Sequence, residues 1–176
     1  MAKSAKKQPK PPKPPAARRS EPKPSRPRMR GYGVPRAKQG MLPWEWARKR
    51  FSKSHNYFLI TVRPVGAPHA MPVWGVWLDG AWYFSTSTTS RKGKNLASNP
   101  RCVVLNENAA EAVIVEGIAR RLADNEIPER AFIEYKAKYD WPLDPKMGSV
   151  FEVRPQAVFA MPEKLFPKAV TRWKFN

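Results

Sequence analysis

Cysteine and histidine are nearly missing from this chain: its 176 residues include one Cys and two His. A single thiol builds no disulfide framework, and one Cys with two His does not complete the common structural zinc sites. Acids are scarce too, with 14 Asp+Glu against 33 Lys+Arg and a formal net charge of +19. No apolar run approaches the roughly 18–20 residues of a membrane-spanning helix. The basic opening MAKSAKKQPK lacks the apolar stretch that follows it in a secretory signal. These absences point to a soluble, reducing, cytoplasmic setting. There is also no GxGxxG and no long βαβ alternation, which disfavours a Rossmann domain.

What is plentiful is proline and positive charge, and both crowd the start. Residues 1–40 hold nine of the 20 prolines and thirteen cations, against one acid, Glu21. Large apolar residues are almost absent there, so the segment cannot bury enough surface to offset its ordering entropy. The expectation is a disordered, polyproline-leaning tail over 1–40 and one globular domain over 41–176. The tail is either a solvated solubility segment or a contact for nucleic acid or anionic surfaces. It lacks the interleaved aromatics that stack on bases.

The rest reads mainly as strands. Pro43 suits the first position of a short helix with Ala47 and Phe51 on one face. Strands are expected over 57–63, 69–78 and 81–85, the last two joined by the hairpin signal Asp79-Gly80. Further strands are expected over 101–105, 111–122 (with a bulge at Gly117), 150–154, 157–160 and 171–175. Asp124-Asn125 caps a helix whose Phe132, Tyr135 and Tyr139 share an apolar face, with Glu134 and Lys138 paired on its outside. Short strands joined by hairpin-length turns predict an antiparallel barrel.

Chemistry concentrates in residues 83–96, YFSTSTTSRKGKNL. A strand runs through a hydroxyl-rich turn into a helix capped by Thr89 or Ser90. Arg91, Lys92 and Lys94 then occupy the first turn, where the helix dipole disfavours cations by roughly 0.3–1 kcal/mol each. An anion among them resolves that conflict, and helix-start N–H groups with Arg and Lys donors make a phosphate site. The plainer alternative is a polar turn before a solvated basic helix. Upstream, in MPVWGVW (71–77), Pro72 and Gly75 leave backbone carbonyls and N–H groups that a flat heteroaromatic ligand with polar edges could take. Trp74, Trp77 or Trp173 would cover its face, although each Trp taken singly fits the core. Cys102, in an apolar strand, reads as a packed thiol.

The stretch SRKGKNL (90–96) followed by NPR (99–101) resembles the phosphate-binding stretch of the pyridoxamine 5′-phosphate oxidase-like family. Its context is similar in order: TVRP (61–64), MPVW (71–74), WYFST (82–86) and VIVEG (113–117). The ending TRWKF (171–175) resembles the flavin/deazaflavin oxidoreductase branch. The resemblance spans roughly residues 44–175. It implies a split β-barrel of Greek-key type, with two or three short helices, that forms a homodimer with cofactor in a cleft at the subunit interface. Carried over by position, Arg91 and Lys92 hold the cofactor phosphate, and Ser85, Thr86 and Ser90 add hydroxyl or backbone bonds. The backbone of Met71, Pro72, Val73 and Trp74 faces the ring, and Trp173 from the partner subunit closes the pocket. The C-terminal Arg- and His-bearing substrate stretch of true pyridoxamine phosphate oxidases has no counterpart, so only fold and cofactor site carry over.

The implied cofactor is FMN, with the deazaflavin coenzyme F-420 as alternative. The two histidines, His55 and His69, form no ligand-like pair for haem. With no convincing triad, metal cluster or paired carboxylates, the reading is hydride transfer by the cofactor to or from a small organic substrate. A non-catalytic flavin carrier and an anion-binding role for the basic tail are the alternatives.

Overall fold

A computed structural model of the chain describes residues 21–175. Its strands are β1 (Pro24–Ser25), β2 (Tyr57–Val62), β3 (Pro68–Val73), β4 (Val76–Leu78), β5 (Ala81–Thr86), β6 (Arg101–Asn106), β7 (Glu111–Arg121), β8 (Ser149–Pro162) and β9 (Thr171–Lys174). Its helices are α1 (Trp44–Lys53), α2 (Arg91–Ser98) and α3 (Glu129–Tyr139). All pairings are antiparallel, in the order β1-β9-β8-β7-β6-β2-β3, with the β4–β5 hairpin joined to β8 through β5. This is the expected split barrel.

The period-2 pattern sets the faces. In β2, Tyr57, Leu59 and Thr61 are buried, while Phe58 is exposed. Asp79 and Gly80 both have positive φ, the geometry of a type I′ hairpin turn. Between Glu116 and Gly117 the register of β7 against β8 shifts: Glu116 faces Ala157 and Gly117 faces Pro155, so the irregularity comes at the glycine but the extra residue, Gln156, is on β8. A Cβ on Gly117 would stand 2.6 Å from the Arg154 carbonyl, closer than any side chain can come. Beyond that kink β8 changes partner: its first part pairs with β5 and its second with β9.

Two apolar clusters fill the molecule. The larger lies under α1, where Ala47 and Phe51 meet Trp82, Phe84, Val104 and Trp173. The smaller lies under α3, where Tyr135 and Tyr139 meet Val76, Leu78 and Val150. Cys102 is buried and unpaired, and burial pushes its thiol up to about 12, so it stays a neutral core group.

Several boundaries differ from expectation. Pro43 caps α1 from outside rather than opening it. The strand expected over 69–78 is two strands, broken at Trp74 and Gly75. The pieces expected at 150–154 and 157–160 are one strand, β8. Residues 124–126 form a separate 3-10 turn, and α3 begins after Pro128. The tail needs a larger correction over 21–40. Residues 1–20 lie outside the described residues, but Pro24 and Ser25 pair with Trp173 and Arg172 of β9. The Arg26 guanidinium donates to the carbonyls of Ala37, Gln39 and Val170 at 2.6–2.9 Å. Composition excludes a core of the segment's own; it says nothing of the edge that β9 offers.

Candidate functional site

Among the described residues β3 pairs only with β2 and β4 only with β5, so the sheet stays open between them, and a cleft of about 460 Å³ lies in that seam. Its lining is Asn56, Pro72, Val73, Trp74, Ser85, Lys92 and Tyr135. The volume lies within the range of small-ligand sites. No carboxylate lines it.

One wall is the start of α2. Ser90 caps the helix: its hydroxyl accepts from Gly93 N (3.1 Å) and donates to the Ser87 carbonyl (2.7 Å). With that proton committed, Thr86 donates to Ser90 Oγ at 3.1 Å. Gly93 is required by close approach, since a Cβ there would meet the Ser87 carbonyl at 2.3 Å. The turn is therefore pressed against the helix start, and the N–H groups of Arg91 and Lys92 lie in the first turn, where a helix supplies no partner. No acid occupies that turn. Among the described residues, no ion pair includes Arg91, Lys92 or Lys94.

The opposite wall is the break between β3 and β4. The Trp74 ring stacks on Tyr139 (centroids 4.8 Å, planes 9° apart), and its Nε1 donates to Asn56 Oδ1 at 3.2 Å. His55 stands edge-on to both rings. Gly75 is tied from behind: its N–H donates to Tyr139 Oη (2.9 Å), and its carbonyl accepts from Lys138 Nζ (3.0 Å). The other Lys138 protons go to Tyr57 Oη (2.8 Å) and the Ser52 carbonyl (3.3 Å). A Cβ on Gly75 would fall 2.4 Å from the Trp82 ring. Glu107 secures the approach to β2. Partial burial of its carboxyl is outweighed by N–H donors of His55 and Asn56 and the Ser54 hydroxyl, which hold it below the usual carboxylate range.

Lys138 thus corrects the outward Glu134–Lys138 pair. The ammonium turns under the helix because the broken strand and the end of α1 present carbonyls there. Burial lowers its pKa from 10.5 to about 8, against the pull of Glu107. The folded protein therefore releases this proton before the unfolded chain does. Between pH 8 and 10.5 the unfolded chain binds more protons, so stability attributable to Lys138 rises with pH, by at most about 1.4 kcal/mol per unit. Urea unfolding at pH 8–9, where unfolded tyrosines are still mostly protonated, should show that slope in the wild type. Lys138→Met should flatten it; identical slopes would refute the buried ammonium.

Of the residues expected at the site, Pro72, Val73, Trp74, Ser85 and Lys92 line this one cleft. Thr86 and Ser90 lie behind its wall, bonded to each other. Arg91 is exposed at the helix start and Met71 is exposed on β3. Trp173 does not join them. It is fully buried in its own chain's core, 5.5 Å from Trp44, on the inward face of β9 with Thr171. A side chain with no exposed surface cannot close another subunit's pocket. Asn56 carries no signal in the sequence, Tyr135 and Tyr139 show there only as part of an apolar face, and Lys138 only as the outward partner of Glu134.

An antiparallel barrel left open along one seam, with the start of a helix set in the opening, defines the class of split barrels. The pyridoxamine 5′-phosphate oxidase family model matches residues 45–162, and the chain belongs to that family. No curated protein matches it. Among solved structures it is similar to a haem-binding protein from Mycobacterium smegmatis (23% identity, TM-score 0.62, covering 74% of this chain and 57% of that one). It is also similar to an F-420 reductase (23%, TM-score 0.53, 66% and 98%). A FAD-binding protein from Mesorhizobium loti is a third (18%, TM-score 0.56, 74% and 94%). Identities this low carry the fold alone. The chain spans little more than half of the mycobacterial protein. Among the described residues no helix is long and apolar enough to cross a membrane, and no group of three or more His, Cys, Asp or Glu is placed to hold a metal ion.

Proposed function

We propose that this chain binds FMN in the seam cleft and acts as a flavin-dependent oxidoreductase on a small organic substrate, with coenzyme F-420 as the alternative occupant. The observation that carries the reading is an acid-free helix start that opens with Arg91 and Lys92, neither in an ion pair among the described residues, and that puts Lys92 in the lining of a tryptophan-walled cleft. Two such cations match the roughly −2 charge of a phosphate monoester. A bound flavin supplies the hydride transfer. Arg91, Lys92 and the α2 amides grip the phosphate, while Ser85 holds the edge of the cleft. The backbone of Met71, Pro72 and Val73 meets the polar edge of the ring, and Trp74, fixed by Tyr139 and Asn56, shields it from water.

A second copy of the chain completes the site in this reading. Phe58 on β2 and Trp74 at the strand break are 45% and 40% exposed, apolar groups beside the cleft; Met71, 41% exposed, opposes Leu59 on the other face of the β2–β3 pair. The test is a visible spectrum of the purified protein, alone and titrated with FMN, F-420 and haemin, with mass by light scattering. Saturable FMN binding by a dimer is expected. A Soret band with haemin and no response to either flavin would overturn the reading.

A further inference from the structure

A second concavity lies far from the cleft in sequence, in the segment that composition marks as a tail. Arg26 spans it at the base, holding the carbonyls of Ala37 and Gln39 together with that of Val170 ahead of β9. Its three bonds close residues 26–39 into a compact loop whose ends meet. Gly31 and Gly33, both with positive φ, turn the chain back. The loop encloses a hollow of about 740 Å³ lined by Arg26, Arg28, Arg30 and Arg36 and by no acid. Arg28, Arg30 and Arg36 are exposed, and no ion pair among the described residues includes any of them or Lys38. Guanidinium groups gathered without counterions repel one another unless an anion joins them.

The loop also carries Tyr32, 60% exposed, which meets Phe166 edge-on at 6.2 Å; Phe166 is itself 42% exposed. Sequence alone shows no aromatic interleaved with these cations beyond Tyr32; the fold brings the second across from the turn before β9. We propose that this loop binds single-stranded nucleic acid, with backbone phosphates on Arg28, Arg30 and Arg36 and a base on the Tyr32–Phe166 pair. Arginine favours phosphate through its planar donor fork, and an exposed aromatic beside a cationic groove is the arrangement that takes unpaired bases. A duplex keeps its bases stacked inside and gives Tyr32 nothing to cover. An acidic bilayer would favour apolar side chains on a projecting tip, whereas here the guanidinium groups ring a hollow. Residues 1–20 add seven Lys and Arg and no acid to the same end of the chain.

The experiment uses the full-length chain and fluorescence anisotropy of a labelled oligouridine of about 15 nucleotides over a salt series. Arg28→Ala/Arg30→Ala/Arg36→Ala should weaken binding at least tenfold near 0.1 M salt and reduce the slope of log K against log salt by about two, the value for three single-strand phosphates. Tyr32→Ala should weaken it about tenfold with the slope unchanged, and Tyr32→Phe should restore it. FMN affinity should be unaltered in all three, which separates this proposal from the cofactor reading and checks folding. An unchanged affinity and slope in the triple variant would assign binding to residues 1–20 and overturn the proposal. So would preference for the duplex, or binding of phosphatidylserine vesicles without binding of the oligonucleotide.

Discussion

Replacing Arg91 and Lys92 together by alanine is expected to weaken FMN binding by about two to four orders of magnitude, since each charge-assisted hydrogen bond contributes roughly 1.5–3 kcal/mol. The magnitude is large because nothing else competes for these groups: neither is in an ion pair, and the first turn of α2 holds no acid. Removing them relieves a mismatch with the helix dipole, so thermal stability without cofactor should hold or rise slightly. Titration calorimetry of wild type and double variant reads the first effect and thermal melting the second. Equal affinities would remove the helix start from the site.

The other large effect concerns Trp173. Trp173→Ala should cost about 3–5 kcal/mol of stability, the range for deleting a fully buried aromatic side chain. The lost contacts are those with Trp44 and with the core beneath α1. FMN affinity of the folded fraction should change little. Urea unfolding monitored by circular dichroism measures the loss. A variant of wild-type stability that had lost FMN binding would instead return this indole to the pocket.

Trp173 also shows what was legible and where inference strayed. Alternation in Thr171, Arg172, Trp173 and Lys174 already sends the indole inward beside Thr171; the family resemblance alone sends it to a partner. The capping hydroxyl of Ser90, the hairpin at Asp79-Gly80 and the irregularity at Gly117 were readable because each depends on residues adjacent in sequence. The break at Trp74-Gly75 was not. Locally the run from 69 to 78 reads as one apolar strand, and what holds its break are the Tyr139 hydroxyl and the Lys138 ammonium, 64 and 63 residues away. Lys138 was misplaced for a related reason. Helical spacing shows which residues share a face, but which carbonyls wait beneath that face is decided by the rest of the barrel. The cleft's position was legible through Pro72 and Ser85; its lining also takes Asn56 and Tyr135, residues that carry no motif.

The first strand rides on the last. Pro24 and Ser25 find their partners 149 and 147 positions later, in a strand that ends two residues before the C-terminus. During synthesis Pro24 and Ser25 therefore wait without partners until β9 has emerged, and the barrel between them folds first.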